Sequence, residues 1–146
     1  MSLRTAEQPS AVFFCWGEMT MAIRGVRGAT VAAANTQEAI RDATRELLGR
    51  LIELNDLQPD DIASIFFTCT GDLTAEYPAL TARQMGWVET PLICGQEMAV
   101  PGSMPLCIRV LLHWNTELAQ RDVRHAYLRA AVALRPDINT PDGRRP

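Results

Sequence analysis

Residues 91–112 read PLICGQEMAVPGSMPLCIRVLL, and the reading of this stretch decides the fold. It holds two apolar runs of strand character joined through Pro101-Gly102-Ser103, a turn signal. Glu97 closes the first run, and Arg109 stands in the second between Ile108 and Val110. A guanidinium buried in an apolar strand must be paired and hydrogen-bonded. Two readings follow: a structural ion pair between Arg109 and Glu97, or a pocket in which both await a polar, anionic ligand. Taken alone, the stretch leans towards the ion pair.

Composition narrows the classes. A chain of 146 residues, 47% apolar and 21% charged, forms one domain around one core. The net charge of −3 offers neither a nucleic-acid groove nor a surface for anionic membranes. All 14 basic residues are arginine, which excludes a Schiff-base lysine and a phosphate-loop lysine. Cys15, Cys69, Cys94 and Cys107 make no C-x-x-C pair and form no zinc pattern with His113 and His125, so no metal is expected. Three of them lie in apolar runs, as reduced thiols do, and a cytoplasmic protein is expected. No apolar run approaches the roughly 20 residues of a membrane span. The run at 11–16 is also shorter than the roughly 7–15 residues of a signal-peptide core.

Residues 1–20 read as an extension with one apolar patch, Val12-Phe13-Phe14-Cys15-Trp16. Residues 21–31 read as a first strand, in which alternation sends Arg24 and Arg27 to opposite faces. Arg24 is expected to be a solvated edge charge. A helix starts after Asn35 or Thr36, with Glu38 in capping-box spacing from Asn35. It carries Ile40, Ala43, Leu47, Leu48, Leu51, Ile52 and Leu54 on one face and ends at Asn55-Asp56. After a turn at Pro59-Asp60-Asp61, residues 62–70 read as a buried strand. Tyr77-Pro78 opens a short helix that Gly86 terminates. The two runs of 91–112 follow, then a polar connection at 115–122. Residues 124–134 read as a last strand with His125, Tyr127, Arg129 and Ala131 on one face, and residues 138–146 as a mobile tail. The expected fold is α+β, a mixed five-stranded sheet with two helices covering one face. The other face carries apolar residues and arginines that a monomer would leave wet, so self-association in a closed cyclic oligomer is expected.

At this point a family can be recognised. RGVRGAT at 24–30, YPA at 77–79 with Arg83, GW at 86–87, PLICGQEM at 91–98, CIRV at 107–110, RHAYL at 124–128 and LRPD at 134–137, in this order, resemble the AroH class of chorismate mutase. The resemblance covers residues 21–137 and leaves residues 1–20 outside. It implies a homotrimer with a pseudo-barrel core, active sites in the clefts between subunits, and the cofactor-free rearrangement of chorismate to prephenate. Carried over by motif, Arg109 faces the ether oxygen, and Arg27 and Tyr127 hold the enolpyruvyl carboxylate. Glu97 accepts from the ring hydroxyl, with Cys94 beside it. Tyr77, Ala79 and Arg83 come from the adjacent subunit, Leu92 and Ile93 form wall, and Leu134 and Arg135 lead into the tail at the mouth.

The residues agree with that chemistry. A pericyclic reaction gives the protein no proton to move, so catalysis comes from holding the reactive conformer and from placed charge. The chain offers arginines, a carboxylate and a tyrosine on strands, and no Ser-His-Asp or Cys-His arrangement. The alternatives are a YjgF/Rid-like enamine deaminase on a similar trimer, or a non-catalytic trimer that binds an anionic metabolite. His113 and His125 read as structural, Trp87 and Trp114 as core or interface, and Arg121, Arg124 and Arg129 as surface charges or interface pairs.

Overall fold

The computed structural model describes residues 21–138. In these residues the order is β1 (Ala22–Val31), α1 (Gln37–Asn55), β2 (Ile62–Cys69), α2 (Pro78–Gln84), β3 (Leu92–Gln96), β4 (Cys107–Thr116) and β5 (Ala126–Tyr127), with short 3-10 turns at Pro59–Asp61, Gln120–Asp122 and Arg129–Leu134. The sheet order is β3-β2-β4-β1-β5. β4 runs antiparallel to both β1 and β2, while β2/β3 and β1/β5 are parallel. The chain is therefore a mixed α+β sheet, as expected.

Alternation sorts the sheet into two faces. Ile108, Val110, Leu112 and Trp114 of β4 point to one face and are buried with Val26, Ile65 and Phe67 against Ile40, Leu47, Leu48 and Leu51 of α1. Both helices pack on this face and touch each other. Gly28 permits the close approach: a Cβ there would lie 2.6 Å from the Ala126 carbonyl oxygen and 2.9 Å from Leu47 Cδ1. The opposite face is open in a single chain. It presents Ile23, Phe66, Ile93 and Leu111, each at least 40% exposed.

Several expectations are corrected. The two runs of 91–112, joined through a turn signal, are not neighbours in the sheet: β3 pairs with β2, and β2 separates it from β4. The reason is α2, whose crossover returns the chain parallel to β2. β2 is not buried on both faces, since Phe66 is 45% exposed. β4 continues to Thr116 through what reads as a polar connection. The last strand is only Ala126–Tyr127; Arg129 takes φ 53° and the chain turns into 3-10 geometry. Of the two caps offered by the sequence, Thr36 is the one used, its hydroxyl accepting from Ala39 N at 3.1 Å. Glu38 then sits in the first turn outside capping-box register. Asn35 instead accepts from the Thr74 and Ala75 amides and ties the segment before α2 to α1. Arg24 is not merely solvated, because its Nε donates to the Leu118 carbonyl at 2.8 Å. Ile138, expected in the mobile tail, is buried at 1% exposure. The extension at 1–20 and the remainder of the tail lie outside the described residues.

Candidate active site

The strand register builds the site. In the ladders Tyr127 pairs with Ala29, Ala29 with Arg109, Arg109 with Thr68, and Thr68 with Gly95. Directly paired residues share a face, so one row crosses the open face from Tyr127 to Gly95. The next row is Arg27, Leu111, Phe66 and Ile93. With strands about 4.8 Å apart, Tyr127 and Arg109 lie about 10 Å from each other. Arg27, Arg109 and Tyr127 line one cavity of about 450 Å³ with Phe66, Thr68 and Leu111. Two cations and a phenol over a partly apolar floor suit a small dianion.

Glu97 follows β3 and turns to the open face. Its Oε2 accepts from Thr68 Oγ1 at 2.8 Å and lies 3.5 Å from Arg109 Nε, and its Oε1 accepts from Met98 N at 3.2 Å. The Thr68 hydroxyl, then the Met98 amide and Arg109, hold the carboxyl below its ordinary value against the opposing effect of burial. Glu97 is thus an anionic acceptor at neutral pH. The Arg109 side chain is 45% exposed, so the pair is not a buried structural bridge. Both readings of the opening stretch are partly realised: the ion pair exists, and it stands at the rim of a cavity.

Cys94 goes elsewhere. It points to the helix face, since it pairs with Phe67, and lines a second cavity of about 440 Å³ with Tyr77, Pro78, Cys69 and Gly71. Burial pushes its thiol up, while a backbone hydrogen bond from Ala79 and the nearby Arg83 act the other way. Cys69, in the same cavity, is pushed up to about 12, chiefly by burial. Tyr77 is 70% exposed at the rim, and Ala79 is buried. In one chain Cys94 therefore stands with Tyr77, Ala79 and Arg83, not beside Glu97. Leu92 and Ile93 likewise divide: Leu92 packs on the core, and Ile93 is 56% exposed on the open face.

The C-terminal residues gather near Tyr127, which lines the first cavity. Leu134 packs against the small buried cluster of Ala29, Cys107 and Ala131, on which Tyr127 and Val31 also pack. Arg135 makes a two-pronged pair with Asp137 at 2.7 and 2.9 Å and lies close enough to Tyr127 to interact electrostatically. His125 is structural, its Nδ1 accepting from Arg27 N at 3.2 Å and so fixing the strand beneath the arginine. His113 bonds Ser64 at 2.9 Å and meets the edge of Phe66. Thr68 is the residue that sequence reasoning missed. Its alternation with Ser64 and Phe66 was the available signal, but a threonine in an apolar strand shows no role until Glu97 and Arg109 are placed beside it.

The family model for chorismate mutase type I matches residues 23–138. The chain is 50% identical over 119 residues to the chorismate mutase AroH of Thermus thermophilus, covering 81% of this chain and 98% of that protein. It is 42% identical over 120 residues to the chorismate mutase AroH of Bacillus subtilis, covering 82% of this chain and 94% of that protein. Among solved structures, a chorismate mutase from Clostridium thermocellum superposes with a TM-score of 0.73 at 47% identity, over 75% of this chain and 97% of that one.

Proposed function

The chain belongs to the chorismate mutase type I family, and we propose how it rearranges chorismate to prephenate: in clefts that two neighbouring subunits of a homotrimer complete together. The observation that carries this is the division of the site. Arg27, Glu97, Arg109 and Tyr127 share the open sheet face, whereas Tyr77, Ala79, Arg83 and Cys94 share the edge beside α2. Neither half encloses a substrate. A cyclic assembly lays the α2 edge of one chain over the open face of the next, and the exposed Phe66, Ile93 and Leu111 supply an apolar contact surface for it.

In that cleft the chemistry follows from charge. Breaking the ether C–O bond places negative charge on its oxygen, and Arg109 stands to receive it. Arg27 and Tyr127 bind the enolpyruvyl carboxylate and fold the side chain over the ring, the conformer that reacts. Glu97, anionic and anchored by Thr68, accepts from the ring hydroxyl. From the neighbour, Arg83 pairs with the ring carboxylate and Cys94 faces the ring as a neutral thiol. Even a 10⁶-fold acceleration takes about 8 kcal/mol, more than one donor supplies, so these groups act together. The reaction is internal to the substrate and uses no cofactor. It serves aromatic amino acid biosynthesis in the cytoplasm. No helix among the described residues is long and apolar enough to cross a membrane.

The test is turnover by the purified chain. Prephenate should form from chorismate in proportion to protein, light scattering should give the mass of three chains, and an enamine substrate should release no ammonia. Absence of prephenate from a folded trimer would reject the reading.

A further inference from the structure

Arg129 has an unusual backbone. Its φ is 53°, a left-handed conformation disfavoured for a residue with a long side chain and outside the Gly, Asn and Asp set that visits it readily. The residue forms the corner at which β5 ends and the 3-10 turn Arg129–Leu134 begins. Immediately before it, Leu128 N donates to the Ala29 carbonyl at 2.9 Å, which fixes one side of the corner.

Its guanidinium fixes the other side. Nε and Nη2 donate to Glu46 Oε2 of α1 at 3.1 and 2.6 Å, and Nη1 donates to the Val31 carbonyl at the end of β1 at 3.0 Å. Three donors of one planar fork thus meet two separate elements. The side chains are 35% and 47% exposed, so the pair adds little to global stability. What it selects is local: the sharp turn that brings Leu134 onto the Ala29, Cys107 and Ala131 cluster beside Tyr127 and sets Arg135 within electrostatic reach of that phenol.

We propose that Arg129 is a positioning residue, clamping the corner after Tyr127 so that Tyr127, Leu134 and Arg135 form one wall of the cleft. The proposal rests on the reading above that these three face substrate. A wall at the mouth holds substrate and transition state alike, so loosening it weakens capture more than chemistry.

The experiment is steady-state kinetics with chorismate on Arg129→Ala, Arg129→Gly and Arg129→Lys, with Leu134→Ala and Arg135→Ala alongside, and melting temperatures for all. Arg129→Ala should raise KM by roughly 3- to 10-fold with kcat within about twofold, as expected of a residue acting without substrate contact. Arg129→Gly should raise KM equally while melting no lower than Arg129→Ala, because glycine takes the corner without strain. Arg129→Lys should recover part of the loss, since one ammonium lacks the planar fork that reaches Glu46 and Val31 together. Unchanged KM in Arg129→Ala and Arg129→Gly, with KM raised in Leu134→Ala and Arg135→Ala, would overturn the clamp and leave the wall. Unchanged KM in all of them would overturn the wall and the clamp with it.

Discussion

Replacing Arg109 separates catalysis from folding more cleanly than any other change. Its side chain is 45% exposed and its one carboxylate contact among the described residues, Glu97 at 3.5 Å, is itself 25% exposed. Such a pair contributes at most about 1 kcal/mol to stability. Glu97 also keeps its bonds to Thr68 and Met98 when Arg109 is gone. Arg109→Ala should therefore fold and assemble. The loss should appear in the chemical step: a guanidinium about 3 Å from an oxygen carrying about half a unit charge gains about 3 kcal/mol at an effective dielectric of about 20. Removing it should lower kcat by more than about 10²-fold and change KM far less, because the ether oxygen carries that charge only in the transition state. Arg109→Lys should rescue poorly, and citrulline, a neutral isostere, should bind chorismate but turn it over slowly. Single-turnover and steady-state measurements of prephenate formation give both parameters. Citrulline at 109 nearly as active as arginine would refute the electrostatic argument and leave preorganised geometry as the source of the rate.

Glu97 is held below its ordinary value of 4.5, mainly by the Thr68 hydroxyl. Its ionised form therefore persists as pH falls past 4.5 and is lost only below it; Thr68→Val should move the acid limb of kcat/KM upward, read against the parent on the same substrate. A carboxylate on the open face, in Phe66→Asp or Leu111→Asp, should give monomers by light scattering with loss of activity; an active monomer would exclude the shared cleft. Gly28→Ala drives a Cβ into the Ala126 carbonyl and Leu47 and should cost about 1–3 kcal/mol in chemical denaturation, with KM rising because β5 carries Tyr127.

What the sequence disclosed, and what it withheld, follows from the range of each interaction. The buried face of α1 was legible because Ile40, Ala43, Leu47 and Leu51 repeat at helical spacing. Arg109 and Glu97 stood out because charge in or beside an apolar strand run is conspicuous. Strand pairing was not legible: β3 and β4 are neighbours in sequence across a Pro-Gly turn, yet β2 comes between them because α2 provides a crossover. The end of β5 was hidden for a different reason. Arginine is not a turn residue, and its left-handed corner is maintained by Glu46, 83 positions away. The parting of Cys94 from Glu97 was foreshadowed by alternation, since three residues along a strand change face.

Whether one active site is built from two chains can be read from complementation. Arg83→Ala and Arg109→Ala chains are purified, each nearly inactive, then mixed and allowed to exchange subunits. An intact cleft needs Arg109 from one chain and Arg83 from the neighbour, so random mixing in equal amounts restores roughly a quarter of the interfaces in a closed cyclic oligomer. Chorismate turnover should rise towards about a quarter of the parent rate on exchange. No recovery after mass spectrometry has confirmed mixed oligomers would contradict a shared site, and would place both arginines in the cleft of a single chain.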